Sequence, residues 1–445
     1  MLSVRMGRHG RFYRFDFRWV LAVAALGLGG ACGQVEEMPA LDVANNSVAL
    51  ALPDGEHADA MRDVLLVGNS YDGTVSFIDA QTFENLGSVN AVPDYVQMMW
   101  KIHLNPIRLI AYTVVKYRQQ LHHFEPGDGD RFVDDVFLSP DGTVLYVSRS
   151  NLGDVAAYDL TEPDHPQLWR KYVHGFKADH AAISPDGSHL VVSATSSRKA
   201  DVFESATGKR VGSFSTGNYP HQNDYSKDGR YIYNSSIGDV GYKSVPYRDN
   251  HKKGDRWLVK ADADSLEVVA TWEFDYGIRP NVITADDRIM YAQLSYLNGV
   301  IKYDLTTGTE IARNEQPLSE FARATYANED EYPHDSAHHG LSLSGDGSRL
   351  CDCGTIDNTV AIVKTDDMTV EHMLDVGLIP YWATTGPTGK YCFVTLSGDD
   401  SVIVIDFERG EQVAEVPVGR FPQRSRLARV PNSVIELLTP PSAKN

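Results

Sequence analysis

Local motifs on which several enzyme classes depend are missing from this sequence. It has no GxSxG turn to present a nucleophilic serine, no GxxxxGK[ST] loop to cradle phosphates, and no HExxH or HxH metal pair. The first two absences exclude the α/β-hydrolase elbow and the P-loop NTPase. No CxxCH is present, which excludes covalent haem attachment at such a motif. Long apolar runs are scarce as well. The N-terminal run from Trp19 to Leu28 falls far short of the ~20 residues a spanning helix needs. Cysteine is limited to Cys32, Cys351, Cys353 and Cys392. Cys351 and Cys353 form a CxC pair, but two thiolates are half a zinc site and no matching pair follows. Positive charge is also in deficit: 41 Lys and Arg stand against 60 Asp and Glu, for a net charge of −19. Such a chain repels phosphate backbones, so nucleic acid is not an expected partner.

What the N-terminus does hold reads as a targeting segment. Arg5, Arg8, Arg11, Arg14 and Arg18 precede the apolar run, and small residues lead to Cys32. Residues 1–31 read as a signal peptide, and Leu28 to Cys32 resembles a lipoprotein box whose cysteine is the lipidated first residue of the mature chain. Gly29 stands where that pattern usually has Leu, which leaves ordinary cleavage and secretion as the alternative. Loss of residues 1–31 removes five arginines and Asp16, taking the net charge to about −23. The expected location is the bacterial envelope, with the membrane contacted through the lipid anchor alone. Residues 32–61 are a mixed polar stretch without sustained periodicity and read as a tether.

The remainder repeats. Asp179 to Thr207, DHAAISPDGSHLVVSATSSRKADVFESAT, is a three-strand meander turned by SPDG. The same grammar recurs in VDDVFLSPDGTVLYVSRSNLGDVAAYDL, PHQNDYSKDGRYIYNSS, RPNVITADDRIMYAQLSYLNGVIKYDL, AHHGLSLSGDGSRLCDCGTIDNTVAIVKT and PYWATTGPTGKYCFVTLSGDDSVIVIDF. A period of about 40 to 60 residues with four short strands per unit predicts an all-β fold, a β-propeller. The opening unit, VLLVGNS, TVSFIDA and ENLGSVN, lacks a first strand, and the C-terminal GRFPQRSRLARV supplies one. Closing the ring in this way removes both sheet edges and predicts seven blades over residues 62–430, with 431–445 as a C-terminal tail. One stretch after the first blade, about 94–126, breaks the strand grammar. Its apolar spacing predicts two amphipathic helices interrupted at Pro106, read as a packing element on one rim. Repeat alignment also puts Cys351 and Cys392 in the second strands of successive blades, where an oxidising compartment permits a disulfide.

The SPDG turns, the strand pattern and the pieces VDDVFLSPDG, DHAAISPDG, PHQNDYSKDG, DSAHHGLSL, PYWATTG and FPQRSR resemble the YVTN or YncE-like seven-bladed β-propellers of bacterial envelopes. The resemblance spans residues of about 62 to 430. It implies the fold; the functions in that group include binding proteins, lyases, lactonases and cofactor-dependent oxidoreductases, so it implies no single activity.

Aligning the turns brings one register into view. Five residues before each turn serine, or the residue in its place, stand Asp134, Asp179, His221, Arg279, His339 and Tyr381, with Gln423 in the closing strand. The next position carries Asp135, His180, Gln222, Pro280, Gly340, Trp382 and Arg424. Each inner strand begins at one mouth of the axial channel, so one register around the axis converges on a small site. Singly, an Asp there caps a turn and a His is a satisfied polar residue. As a set, acids, imidazoles, guanidinium groups and aromatics at equivalent places suit an asymmetric ligand. Asp134, Asp179, His180, Arg279, Trp382, Gln423 and Arg424 are the candidate ligand contacts, and His221, His339 and Tyr381 the candidate catalytic groups.

Three chemistries suit this set. His180, His221 and His339 could bind a divalent metal. Alternatively, His221 or His339 could act as a lyase base while Arg279 or Arg424 clamps a substrate carboxylate and Tyr381 serves the leaving group. Third, a histidine with Tyr381 and Trp382 could hold a haem or quinone-type ring without covalent attachment. The leading expectation is binding of a small carboxylate-bearing ligand, with or without a metal. The alternatives are the lyase, the ring-cofactor protein and a noncatalytic scaffold for protein partners whose identity the sequence does not indicate.

Overall fold

A computed structural model describes residues 60–120, 130–240 and 245–440. The leader, Cys32 and most of the tether lie outside the described residues, as do His122 and His123.

The described residues form seven four-stranded antiparallel sheets. Six are built from consecutive strands. The seventh takes its inner strand, Pro422–Pro431, from the C-terminus and its outer three, Met61–Asn69, Thr74–Asp79 and Asn85–Asn90, from the start of the described chain. The fold is therefore the seven-bladed propeller, closed as the repeat pattern requires. The other inner strands are Asp135–Leu138, Ala178–Ile183, Pro220–Tyr225, Ile278–Ile283, Leu341–Leu343 and Pro380–Thr385.

Each S-x-D-G turn has a local cause. Ser184 Oγ donates to Asp186 at 2.5 Å, the backbone N–H of His189 donates to Ser184 Oγ at 3.0 Å, and Gly187 takes a φ of 74° that side chains with a Cβ disfavour. The turn is thereby shaped by four residues, and its recurrence is visible in the chain before any packing is known.

Apolar packing runs between blades rather than along the axis. Val64, Val75, Val136 and Val147 belong to the cluster joining the first and second blades, Leu65, Val67, Val402 and Val404 to the one joining the first and seventh. Five further clusters join the remaining neighbours. Alternating strand residues fill these wedges, which leaves the inner-strand starts free to be polar. Cys351 and Cys392 sit in the cluster between the sixth and seventh blades and form a disulfide across it. Cys353 is a buried free thiol whose pKa burial pushes well up, so the CxC pair is divided between two roles.

The stretch after the first blade forms helices Tyr95–Leu104 and Pro106–Gln120, with Pro106 opening the second. Met98, Ile102 and Tyr112 pack on Val92 and Leu152. Residues 431–440, read from sequence as a tail, instead continue the first blade. Val434 and Leu438 are buried in its core, and Thr439 bridges Ser88 on the outer strand. That approach needs Gly87, because a Cβ there would lie 2.7 Å from Leu438 Cβ.

Candidate functional site

The inner strands enter the channel through a repeated device. Pro220, Pro380 and Pro422 take the first strand position, where the missing N–H costs no ladder bond. Each follows a left-handed residue, Tyr219, Ile379 or Phe421, at φ 55°, 58° and 55°. The register then slips. Ala178 and Ala181 pair with Ala194 and Val192, so Asp179 and His180 together oppose one residue. The same irregularity falls at His221 and Gln222, at Arg279 and Pro280, at Tyr381 and at Gln423. In a regular strand adjacent side chains point to opposite faces; a bulge re-aims them. This is how Asp179 and His180, or Gln423 and Arg424, both reach the axial region. Gly340 occupies its place because a Cβ would come within 2.9 Å of Trp382 Cα.

The three candidate imidazoles converge. His180 and His221 approach at 3.2 Å between their Nε2 atoms, and ring centroids lie 4.1 Å apart for His180 and His221, 5.4 Å for His221 and His339, and 6.4 Å for His180 and His339. One potential ligand atom from each lies within 4.8 Å of the others. His339 Nδ1 is 3.0 Å from the Tyr381 carbonyl oxygen, which can only accept, so the proton sits on Nδ1 and the Nε2 lone pair is free. His339 also stacks on the Tyr381 ring at 4.2 Å. His221 Nδ1 is buried without a hydrogen bond.

Charges surround this cluster. Lys177 Nζ lies 2.6 Å from Asp179, and Thr195 donates to the same carboxylate at 3.1 Å. Arg424 contacts both ring nitrogens of His180 and lies 3.5 Å from Asp134 and 3.8 Å from Asp179. Metal ligation by His180 therefore requires the guanidinium to shift onto these two acids. Arg279 donates to Ser295 Oγ at 3.1 Å and to the His334 carbonyl, but among the described residues it pairs with no carboxylate. Burial lowers its pKa, the mark of a cation without a full counter-charge.

The histidines respond to the same field. Burial first, then the Arg424 charge, holds His180, His221 and His339 well below the ordinary imidazole pKa, so all three are neutral at pH 7. Burial and the neighbouring Asp179 charge push Asp134 up to about 6. In Asp179 burial acts upward, but Lys177 and Arg424 outweigh it and the net shift is downward.

His221, His339, Asp134, Asp179, Arg279, Tyr381, Gln423 and Arg424 line one cavity of about 420 Å³. His180 is fully buried beside it. Trp382 does not line that cavity. It borders a second one of about 520 Å³ further along the inner strands, with Gln222, Asp224, Asn281 and Arg426, while its ring stays 5.1 Å from His180. Lys177, Thr195 and Arg426 join the site from outside the positions that the turn alignment marks. Arg426 was findable, since it stands two residues beyond Arg424 on one strand and salt-bridges Asp135 at 2.6 Å. Lys177 was findable by the same spacing, two residues before Asp179, whereas Thr195 lies just past the end of a second strand, outside the aligned register. Of the remaining histidines, His334 reaches the cavity, His338 is tied to Asp352 at 2.9 Å inside its blade, and His174 pairs with Asp201.

Asp224 offers a pH test. Burial raises its pKa to about 7 despite Arg426 and the Gln222 amide. Proton binding there favours the fold below the unfolded carboxylate value of 3.8, and this contribution is lost as pH rises through about 7. Asp224→Asn should accordingly stabilise the protein by up to about 4 kcal/mol at pH 8, with nearly all of the gain lost near pH 4. Chemical denaturation across that range measures it.

No protein-family model and no curated protein matches the chain. Among solved structures it is similar to the dihydro-heme d1 dehydrogenase NirN in complex with DHE, with a TM-score of 0.52 at 13% identity over 83% of this chain and 76% of that one. It is also similar to Kuenenia stuttgartiensis hydrazine synthase, with a TM-score of 0.48 at 18% identity over 64% of this chain and 87% of that one. At such identities the likeness is one of fold.

Proposed function

We propose that this propeller binds a small carboxylate-bearing ligand in the 420 Å³ cavity, together with a divalent metal held by His180, His221 and His339. The observation that carries the reading is the convergence of three imidazoles, His221 and His339 on the cavity wall and His180 buried beside it, with the carboxylate-free Arg279 on the same wall. A buried guanidinium without an anion is costly, and an incoming carboxylate, gripped in bidentate fashion, supplies the missing charge. Metal ligation needs neutral imidazoles, and Asp134 or Asp179 can add an oxygen ligand or orient His180.

A lyase base is less well served. A general base works best with a pKa near the working pH, whereas burial and Arg424 depress all three histidines. A pure scaffold leaves no reason for His221 Nδ1 to be buried without a hydrogen bond or for Arg279 to line a cavity with no carboxylate partner. The ring-cofactor reading draws on the NirN structure, whose ligand is DHE; a cavity of 420 Å³, near the small end of ligand pockets, suits a small acid better. Elemental analysis of the purified protein with an absorption spectrum tests the proposal. Near-stoichiometric divalent metal and no visible band are expected. A metal-free protein that takes up none from added zinc, or one carrying an intense visible chromophore, refutes it.

The SPDG repeats support grouping the chain with the YVTN or YncE-like propellers of bacterial envelopes, and the arginine-rich leader before Cys32 supports a lipid-anchored, extracytoplasmic location. Cys32→Ser should turn a protein that resists a high-salt wash of the membrane fraction into one that the wash releases. Retention of the substituted protein in washed membranes counts against a lipid anchor as the sole attachment.

A further inference from the structure

The helical pair Tyr95–Leu104 and Pro106–Gln120 has two apolar faces, and only one is used inside the fold. Met98, Ile102 and Tyr112 are buried. The outer face carries Val96, Trp100 and Leu104 at i, i+4 and i+8, then Ile107, Ile110 and Val114 at i, i+3 and i+7, the spacings that align side chains along one helix stripe. These six are 41 to 77% exposed. Scattered exposed apolar residues need no explanation, but a contiguous stripe marks a contact surface.

Charge identifies the partner. Between Tyr95 and Gln120 the sequence holds Lys101, Arg108, Lys116 and Arg118 and no Asp or Glu, although the whole chain carries −19. Lys116 is paired with Asp130 at 2.6 Å and Arg108 lies over the Tyr172 ring at 3.5 Å, while Lys101 is exposed beside Trp100. A basic, Trp-bearing amphipathic segment on an acidic body has the composition of an element that lies in a lipid–water interface. Among the described residues no helix is long and apolar enough to cross a membrane.

We propose that this helical pair docks flat on an anionic bilayer surface, with the stripe from Val96 to Val114 among the upper acyl chains and the basic residues at the headgroups. The acidic remainder, repelled by the same headgroups, favours the orientation that puts the pair toward the lipid. Val115 on the second helix lines the 420 Å³ cavity, so docking sets that cavity beside the membrane surface. The inference stands apart from the metal site and from any acyl chain on Cys32.

The test uses the chain without residues 1–31 and with Cys32→Ser, so that neither leader nor lipid contributes; the unit Asp59–Asn445 remains whole. Cosedimentation is measured with phosphatidylcholine vesicles, with and without phosphatidylglycerol. Binding should be at least about tenfold tighter on the anionic vesicles, since each basic residue near such a surface adds about fivefold. The double substitution Leu104→Glu with Ile107→Glu should weaken binding by about tenfold or more. Both positions are exposed, so circular dichroism and melting should stay unchanged. Absence of cosedimentation with anionic vesicles, or equal binding by the double variant, overturns the proposal. So does a concentration-dependent dimer that the double variant dissolves, which would assign the stripe to a second copy of this chain.

Discussion

Deletion of residues 422–445 should abolish cooperative unfolding and leave an aggregating chain. The inner strand Pro422–Pro431 pairs with Met61–Asn69 along nearly its whole length, and its loss exposes a sheet edge on what was the interior of the ring. Val430, Val434 and Leu438 go with it, all buried in the cluster that joins the first and second blades. Each such side chain contributes about 1.5–3 kcal/mol, so three of them alone approach the 5–15 kcal/mol that typically separates a folded domain from its unfolded chain. A scan of the truncated protein by calorimetry decides the matter. A single transition at the original temperature would mean that the first blade closes without the C-terminal strand.

The second large effect is expected at the axial cavity. Removing one ligand of three should weaken metal binding by at least about 100-fold, the upper range seen for residues that merely orient ligands. His221→Ala and His339→Ala are the informative variants, because both side chains border the cavity and neither belongs to an inter-blade apolar cluster. Their melting temperatures without metal should stay close to that of the parent. Arg279→Met should likewise separate stability from function. Removing a buried guanidinium that has no carboxylate partner should leave stability nearly unchanged, the relieved desolvation offsetting the lost hydrogen bonds to Ser295 and His334, while carboxylate binding should be lost. Titration calorimetry with zinc, and with a small dicarboxylate as probe, reads both outcomes. Unchanged zinc affinity in the two histidine variants would eliminate the metal site, and a large stability loss in Arg279→Met would make that residue a structural element.

Much of the site was legible because a propeller converts sequence register into spatial convergence. His221 and His339 lie 118 positions apart, yet they stand at the same place in their repeats and their rings meet at 5.4 Å. Thr195 was illegible for the complementary reason. Its role arises from hydrogen-bonding one carboxylate, Asp179, from just past a neighbouring strand, a contact that the inner-strand register does not mark, whereas Lys177, two residues before Asp179, could be read from that spacing. Trp382 shows the limit of register itself. It shares its position with His180 and Arg424 in the alignment and its ring stays 5.1 Å from His180, yet it borders the second cavity and not the first.

The sequence by itself determined the blade count, the ring closure and the axial positions of the polar residues. Those follow from turn chemistry and strand alternation, which act over a few residues and repeat. Only the tertiary structure decided three other things. It placed residues 431–440 against the first blade, where Leu438 meets Gly87. It left Arg279 without a carboxylate, because Asp335, whose charge reaches it, is paired with Lys253. It also divided the two apolar faces of the helical pair into one that packs and one that does not, since hydrophobic periodicity marks a face as apolar without saying what covers it.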